Sequence, residues 1–71
     1  GAPPVNRGNA EPFTYQEIVE LQRRLAAKGH DVGKIDGFLG AMTRAAVKAE
    51  QQRMGMPADS YPTHELLGKL R

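Results

Sequence analysis

The residues of this chain that could bind a metal ion are two histidines, each followed by an acid. His30 precedes Asp31 and His64 precedes Glu65, so each pair offers one imidazole nitrogen and one carboxylate. A catalytic zinc site needs three protein ligands held rigidly, and these usually include a close pair on one helix. The sequence has no such pair and no cysteine thiolate to replace it. It therefore favours solvated histidines, and we expect neither a metal ion nor another cofactor.

Catalysis by the chain itself is not indicated either. A hydrolase that forms a covalent intermediate needs a serine or cysteine beside a positioned base, and the sequence offers no such arrangement. Glycoside hydrolysis needs two carboxylates that face one cleft, and no pair of acids here has that pattern. We therefore expect this chain not to be an enzyme.

Nucleic-acid binding is a further possibility, because a predicted helix carries Arg44, Lys48 and Gln52 at a spacing of four residues. A helix-turn-helix domain could present such a stripe to DNA. Specific DNA binders commonly make about 6 to 10 phosphate contacts. Here ten Lys and Arg stand against eight Asp and Glu, which leaves a net charge of only +2. We expect no nucleic-acid partner, and DNA binding is the least favoured alternative.

Local patterns predict a first helix over residues 15–28. Thr14 and Glu17 have the spacing of a capping box, and Gly29 is placed to end the helix. Side chains at spacings of three and four residues form the inward face, which consists of Ile18, Leu21, Gln22 and Leu25.

A second helix is predicted over residues 41–54, and a third over residues 62–70 with its cap in residues 60–63. Residues 30–40 contain three glycines and an Asp-Gly turn, which predicts an ordered loop with room for a short two-stranded pairing. The sequence shows no internal repeat. We expect an all-α protein: a small three-helix bundle with an ordered glycine-rich loop between helices 1 and 2, and a core of about a dozen apolar side chains.

The start of the chain has a different composition from the rest. Residues 1–13 are rich in proline and glycine, as flexible linkers are. We expect residues 1–13 to be a flexible linker on a larger N-terminal part, and residues 14–71 to be the folded domain. The mean hydropathy is −0.54 and no apolar run approaches the roughly 20 residues that cross a bilayer, so we expect no membrane span.

The most distinctive stretch is Asp36-Gly37-Phe38-Leu39-Gly40-Ala41-Met42-Thr43, preceded by Leu21-Gln22 and followed by Gln51. This combination resembles the peptidoglycan-binding domain family, which is found at the ends of bacterial cell-wall hydrolases, and distantly the prodomain of matrix metalloproteinases. The resemblance covers about residues 15–70. The matching positions are Ile18, Leu21, Gln22, Leu25, Gly29, Asp36, Gly37, Gly40, Thr43, Ala46, Val47, Gln51 and Gly55.

Most of these motif residues are expected to be architectural. Asp36 can accept backbone N–H groups across its turn, and Gly37 can supply a positive φ. Gln22 and Gln51 lie on inward faces, where their amides can bind loop backbone groups that would otherwise be buried unpaired. The structural set is Gln22, Asp36, Gly37, Gly40, Thr43 and Gln51.

The chain departs from the family pattern at three positions. His30 replaces a tyrosine, Glu50 replaces an aromatic residue, and Ser60 replaces a glycine. We expect Glu50 at the rim of the core with its carboxylate in water, or else paired with an arginine or with His64. A Phe at position 50 is then expected to be neutral or stabilising by about 1 kcal/mol.

The resemblance implies non-catalytic binding of peptidoglycan, through its glycan strand or its stem peptide. Residues 49–67 are most like the C-terminal module of lytic murein transglycosylases, so the resemblance also implies an attached catalytic domain and a periplasmic or cell-envelope location. We expect a monomer. A protein-interaction or inhibitory module similar to a prodomain is the alternative.

A site for such a ligand would combine an apolar platform, hydrogen-bond donors and a cation for muropeptide carboxylates. These meet where the loop of residues 30–40 joins the second helix and the entry to the third. The expected ligand-binding residues are His30, Asp31, Phe38, Arg44 and Tyr61. Arg44 is assigned to a carboxylate, and Tyr61 or His30 to a sugar face.

Overall fold

The computed structural model describes residues 12–71, which form three α-helices joined by two loops. Helix α1 is Tyr15–Ala27, α2 is Ala41–Arg53 and α3 is His64–Leu70. The all-α prediction is confirmed, and within residues 12–71 the loop between α1 and α2 contains no strand pairing. Most of the predicted linker, residues 1–11, lies outside the described residues.

Helix α1 begins with the predicted capping box. The Thr14 hydroxyl accepts the backbone N–H of Glu17 at 3.2 Å, and the Glu17 carboxylate accepts the backbone N–H of Thr14 at 2.9 Å. Lys28 is the C-cap, so the helix ends one residue earlier than predicted. Gly29 follows in the left-handed region with φ +98°, and its N–H donates to the carbonyl of Ala26 at 2.9 Å.

The bounds of α2 and α3 also differ slightly from the prediction. Met54 is the C-cap of α2, which therefore ends at Arg53. Thr63 has an extended backbone and is the N-cap of α3, where its hydroxyl accepts the N–H of Leu66 at 3.0 Å. The third helix thus begins two residues later than predicted, because the cap is the last residue of the 60–63 segment.

The core lies where α1 packs against both α2 and α3. Its buried apolar side chains are Leu21, Leu25, Val32, Ala46, Val47, Leu66, Leu67 and Leu70, and the partly buried ones packed against them are Phe13, Leu39, Met54 and Met56. This agrees with the predicted dozen. Phe13 also stacks on the imidazole of His64 with ring centroids 4.4 Å apart, so the end of the predicted linker is tied to α3. In the part of the chain that the structure describes, no helix is long and apolar enough to span a bilayer.

Candidate functional site

A buried glutamine organises the loop before α2. The side chain of Gln22 donates through Nε2 to the carbonyl of Phe38 at 2.9 Å and to the hydroxyl of Thr43 at 3.1 Å. Nε2 also lies 3.3 Å from Oδ1 of Asp36, and Oε1 accepts the N–H of Gly37 at 3.0 Å. One amide on α1 therefore satisfies polar groups from the loop and from the first turn of α2, as its inward position predicted.

The turn itself is closed by Asp36. Its Oδ1 accepts the N–H of Phe38 at 3.0 Å, and that bond, followed by the one from Gln22, holds the pKa of the Asp36 carboxyl below its ordinary value. Gly37 has φ +78°, and a Cβ there would collide with the ring of Tyr15. Glycine is therefore required at position 37 for two reasons: its backbone conformation and the aromatic side chain that lies against it.

The same arrangement occurs a second time before α3. The buried Gln51 donates through Nε2 to the carbonyl of Tyr61 at 2.8 Å and to Oδ1 of Asp59 at 3.2 Å, while its Oε1 accepts the N–H of Ser60 at 3.0 Å. Asp59 Oδ1 accepts the N–H of Tyr61 at 3.0 Å, and this bond lowers the pKa of the Asp59 carboxyl. Ser60 has φ +71°, close to the value at Gly37.

We name these units the first glutamine turn (Gln22 with 36–38) and the second glutamine turn (Gln51 with 59–61). The sequence shows no internal repeat, but the two turns repeat the same pattern of hydrogen bonds. The repeat is hard to find in the sequence because Gln22 and Asp36 are 14 residues apart whereas Gln51 and Asp59 are only 8 apart. Each turn ends in an aromatic residue that faces solvent: Phe38 is 74% exposed and Tyr61 is 58% exposed.

Two adjoining cavities flank the start of α2. One, of about 300 Å³, is lined by His30, Asp31, Met42, Ala45 and Ala46. The other, of about 230 Å³, includes Phe38, Lys34 and Met42 in its wall. Met42 borders both, and its Sδ would be 3.1 Å from a Cβ at Gly33, so its thioether lies against that glycine.

Three of the five predicted ligand residues therefore border these cavities, and two do not. His30 and Asp31 share one cavity and Phe38 lines the other, whereas Arg44 and Tyr61 line neither. The sequence analysis missed Met42, which is half exposed in the first turn of α2. An apolar side chain outside the inward stripe of a short amphipathic helix was the signal that could have identified it.

Arg44 lies on another side of α2. It precedes Gln51 by seven residues, two helical turns, and therefore shares the face that supports the second glutamine turn. Its side chain is partly buried, and its Nε is a buried donor without an acceptor among residues 12–71.

Glu50 is buried, which corrects the expectation that it lies at the rim of the core. Its side chain is only 5% exposed, with Oε1 accepting from Nη2 and Nε of Arg53 at 2.7 and 3.0 Å. Oε2 lies 2.7 Å from Nε2 of His30. The bond from Arg53 and then that from His30 outweigh burial and hold the pKa of the Glu50 carboxyl below its ordinary value. An arginine partner was foreseen, but the histidine is His30 and not His64, which lies 3.5 Å from Glu17.

The contact with Glu50 orients the imidazole of His30, which lines the same cavity as Asp31. The Asp31 side chain is held by its own hydrogen bond, in which Oδ1 accepts the N–H of Gly33 at 3.0 Å. The described part of the chain contains no group of three or more His, Asp or Glu side chains that could hold a metal ion. The arrangement offers apolar surface, exposed rings and fixed polar groups, which are the elements of a binding site.

Comparison with known proteins shows that a family model matches nearly all of the described residues. The model of the family described as "Putative peptidoglycan binding domain" matches residues 14–70. Among curated proteins, a "Spore cortex-lytic enzyme" of Bacillus cereus is 35% identical over 60 residues, which are 72% of this chain and 23% of the relative. A "Putative OxPP cycle protein OpcA" of Synechococcus elongatus is 36% identical over 67 residues, which are 94% of this chain and 15% of the relative.

Two solved structures of SltB3 from Pseudomonas aeruginosa are also similar. In complex with NAG-anhNAM-pentapeptide, the similarity has a TM-score of 0.81 and 55% identity over 84% of this chain and 16% of that one. In complex with NAG-NAM-pentapeptide, it has a TM-score of 0.84 and 51% identity over 100% of this chain and 18% of that one. The chain thus spans less than a quarter of the length of each of these three proteins.

Proposed function

The chain belongs to the peptidoglycan-binding domain family, and from this membership we propose that it is a non-catalytic module that binds peptidoglycan. The observation that carries the proposal is the position of Phe38. A phenyl ring that is 74% exposed contributes little to the core, yet here it stands beside an open cavity on a backbone fixed by Gln22 and Asp36. A ring held rigidly at the surface next to polar groups is suited to contact a ligand.

The two cavities beside α2 supply the rest of the site. Met42 extends the apolar surface from Phe38 towards His30, and its flexible thioether adapts to the shape of what binds. His30 is oriented by Glu50 and is 25% exposed, so its ring can contact a ligand without losing that partner. Asp31 can accept hydroxyl or amide groups from the ligand.

Arg44 and Tyr61 form a second region of the proposed site. Arg44 is assigned to a carboxylate of the stem peptide, since guanidinium groups bind carboxylates with paired hydrogen bonds. Tyr61 offers a ring that is more than half exposed. Peptidoglycan carries sugars and peptide side by side, so one ligand could meet both regions.

The module is proposed to serve an attached cell-wall enzyme, a lytic transglycosylase or another hydrolase. The support is the length of the relatives, each of which extends far beyond this chain, and the peptidoglycan fragments in both SltB3 complexes. Residues 14–71 together with Phe13, which packs on α3, would then be the binding domain, and the residues before Phe13 the linker, in the periplasm or elsewhere in the cell envelope. Binding of one repeat in the millimolar to tens of micromolar range, about −4 to −6 kcal/mol, suffices because a tether raises the local concentration.

A pull-down with insoluble peptidoglycan sacculi tests the proposal, with plain agarose and DNA-agarose as control matrices. The chain is expected to sediment with sacculi alone. Phe38→Ala should reduce the bound fraction severalfold. Ile35→Ala, which removes another exposed apolar side chain outside both cavities, should leave it unchanged. Failure of the unaltered chain to sediment with sacculi would overturn the proposal.

A protein-interaction module is the second candidate, and the relative OpcA is the observation that favours it. Its name refers to the OxPP cycle and not to the cell wall, although its match covers 94% of this chain. A fold that occurs in proteins of such different names does not fix the ligand by itself. A chain that ignores sacculi but retains its fold would support this second candidate.

A further inference from the structure

We propose that Phe38 and Tyr61 are two separate platforms that stack on sugar rings of one glycan strand. This inference rests on the proposed function and adds the ligand class and the number of contacts. It begins from the two glutamine turns, which place an aromatic residue at the same position of the same hydrogen-bonded unit.

The fold does not explain why these two residues are aromatic. Each turn uses only main-chain atoms of its last residue: the N–H donates to an aspartate, and the carbonyl accepts from a buried glutamine. Any residue type would satisfy those bonds. The rings of Phe38 and Tyr61 are instead 74% and 58% exposed, so most of their apolar area remains in water. Burial of that area against a ligand would release free energy that folding does not use.

The backbone that carries each ring is also held in place before any ligand arrives. With the N–H and the carbonyl of each aromatic residue bound, the backbone of Phe38 and Tyr61 has little freedom left to lose. Tyr and Phe side chains have only two rotatable bonds, so their ordering on binding costs little. Two fixed, low-entropy platforms suit a rigid and repetitive ligand better than a flexible one.

The charges beside the rings favour a sugar over the stem peptide. Asp36 and Asp59 each lie two residues before an exposed ring, and both have a lowered pKa because backbone N–H groups bind their carboxylates. Each ring therefore has an aspartate two residues before it, and Lys34 also lines the cavity beside Phe38. A carboxylate accepts hydrogen bonds from hydroxyl groups but repels the carboxylates of a stem peptide. The Arg44 region remains the place for those anions.

Two platforms on one strand predict a dependence on ligand length. The test uses N-acetylglucosamine oligomers, which have sugar faces and no peptide, and follows backbone amide shifts by NMR with the 71-residue chain. A hexamer is expected to bind at least about tenfold more tightly than a dimer, because its second contact is intramolecular. The amides of both glutamine turns should shift together with the hexamer.

Single substitutions distinguish a site with two aromatic platforms from a site with only one. Phe38→Ala and Tyr61→Ala should each abolish the advantage of the hexamer over the dimer, while Phe38→Tyr should retain it. Ile35→Ala is the matched control and should behave like the unaltered chain. Since the turns use only main-chain atoms of residues 38 and 61, both alanine variants should keep the amide spectrum of the folded protein away from the substituted turn.

Three outcomes would overturn the inference. Equal affinity for hexamer and dimer would exclude two contacts on one strand, and an effect of only one aromatic residue would reduce the site to a single platform. Binding to sacculi and to a free stem pentapeptide, but not to the oligomers, would exclude sugar stacking while leaving the proposed function intact. Failure to bind sacculi as well would overturn both.

Discussion

Nε2 of His30 lies 2.7 Å from Oε2 of Glu50, which joins the loop after α1 to the last turn of α2 through a carboxylate that is almost completely buried. Arg53 covers the same carboxylate from the solvent side. A buried acid with two basic partners is stabilising only as a complete set, because removing one member leaves the others without their bonds.

Replacement of Glu50 should therefore destabilise the protein, which reverses the expectation drawn from the family pattern. Glu50→Gln should lower the free energy of unfolding by about 1 to 2 kcal/mol through lost charge-assisted hydrogen bonds. Glu50→Phe should cost at least as much, because the larger ring must enter a packed site and displaces both partners. Urea unfolding measures the change. Glu20→Gln, which removes the exposed pair with Arg71, is the control and should cost less than about 1 kcal/mol.

Stability should fall as the solution becomes acidic. The pKa values of Glu50, Asp36 and Asp59 are all lowered by folding, so the unfolded chain binds more protons and stability rises with pH through that window. The contribution is complete above about pH 5, where the unfolded carboxyls are ionised, and is lost as the pH falls through the lowered folded values. Thermal melts at a series of pH values test this. A flat profile between pH 6 and about pH 3 would contradict it.

An exchange of residues between the two turns should have opposite effects. Ser60 adopts φ +71°, where glycine has no Cβ penalty, so Ser60→Gly should stabilise by up to about 1 kcal/mol. The reciprocal Gly37→Ser should destabilise by more than that, because it adds both backbone strain and a collision with Tyr15. Melting temperatures of the two variants give the comparison. Stabilisation by both substitutions would show that the turns are not equivalent.

Each buried glutamine should protect its own turn. Gln22→Ala leaves the N–H of Gly37 and several loop acceptors without partners, and should cost about 2 to 4 kcal/mol. Gln51→Ala should act likewise on Ser60. Hydrogen exchange separates the two, since the amide of Gly37 should lose protection in the first variant and that of Ser60 in the second. Equal loss at both amides in either variant would indicate global unfolding instead.

The helices and the roles of the glutamines could be predicted because their signals are local. The Thr14–Glu17 capping box is identified by residue types at a fixed spacing, and the inward positions of Gln22 and Gln51 follow from the helical period. The positive φ at Gly37 was predictable for the same reason, since the Asp-Gly pair is a turn signal.

The environment of Glu50 was not predictable from local patterns. Its burial depends on where the loop after α1 places His30, 20 residues away, and no periodicity encodes that distance. For a similar reason, the sequence did not predict that the candidate ligand residues fall into two separate regions. Met42 and Arg44 are two residues apart in sequence but lie on different faces of α2. Which face borders the cavities depends on the orientation of the helix in the bundle.

The glutamine turn also tolerates different lengths of the chain segment that it closes. Its bonds join a helix to an Asp-x-aromatic triplet whether 14 or 8 residues of chain separate the glutamine from the aspartate. The intervening segment is therefore free to lengthen or shorten while the anchor stays in place, and the closure entropy of the added residues rises only slowly. His30 and Val32 in that segment are held by Glu50 and by the core, so in engineering terms the exposed pair Lys34 and Ile35 is the place where new sequence can be grafted beside Phe38 without redesign of the bundle.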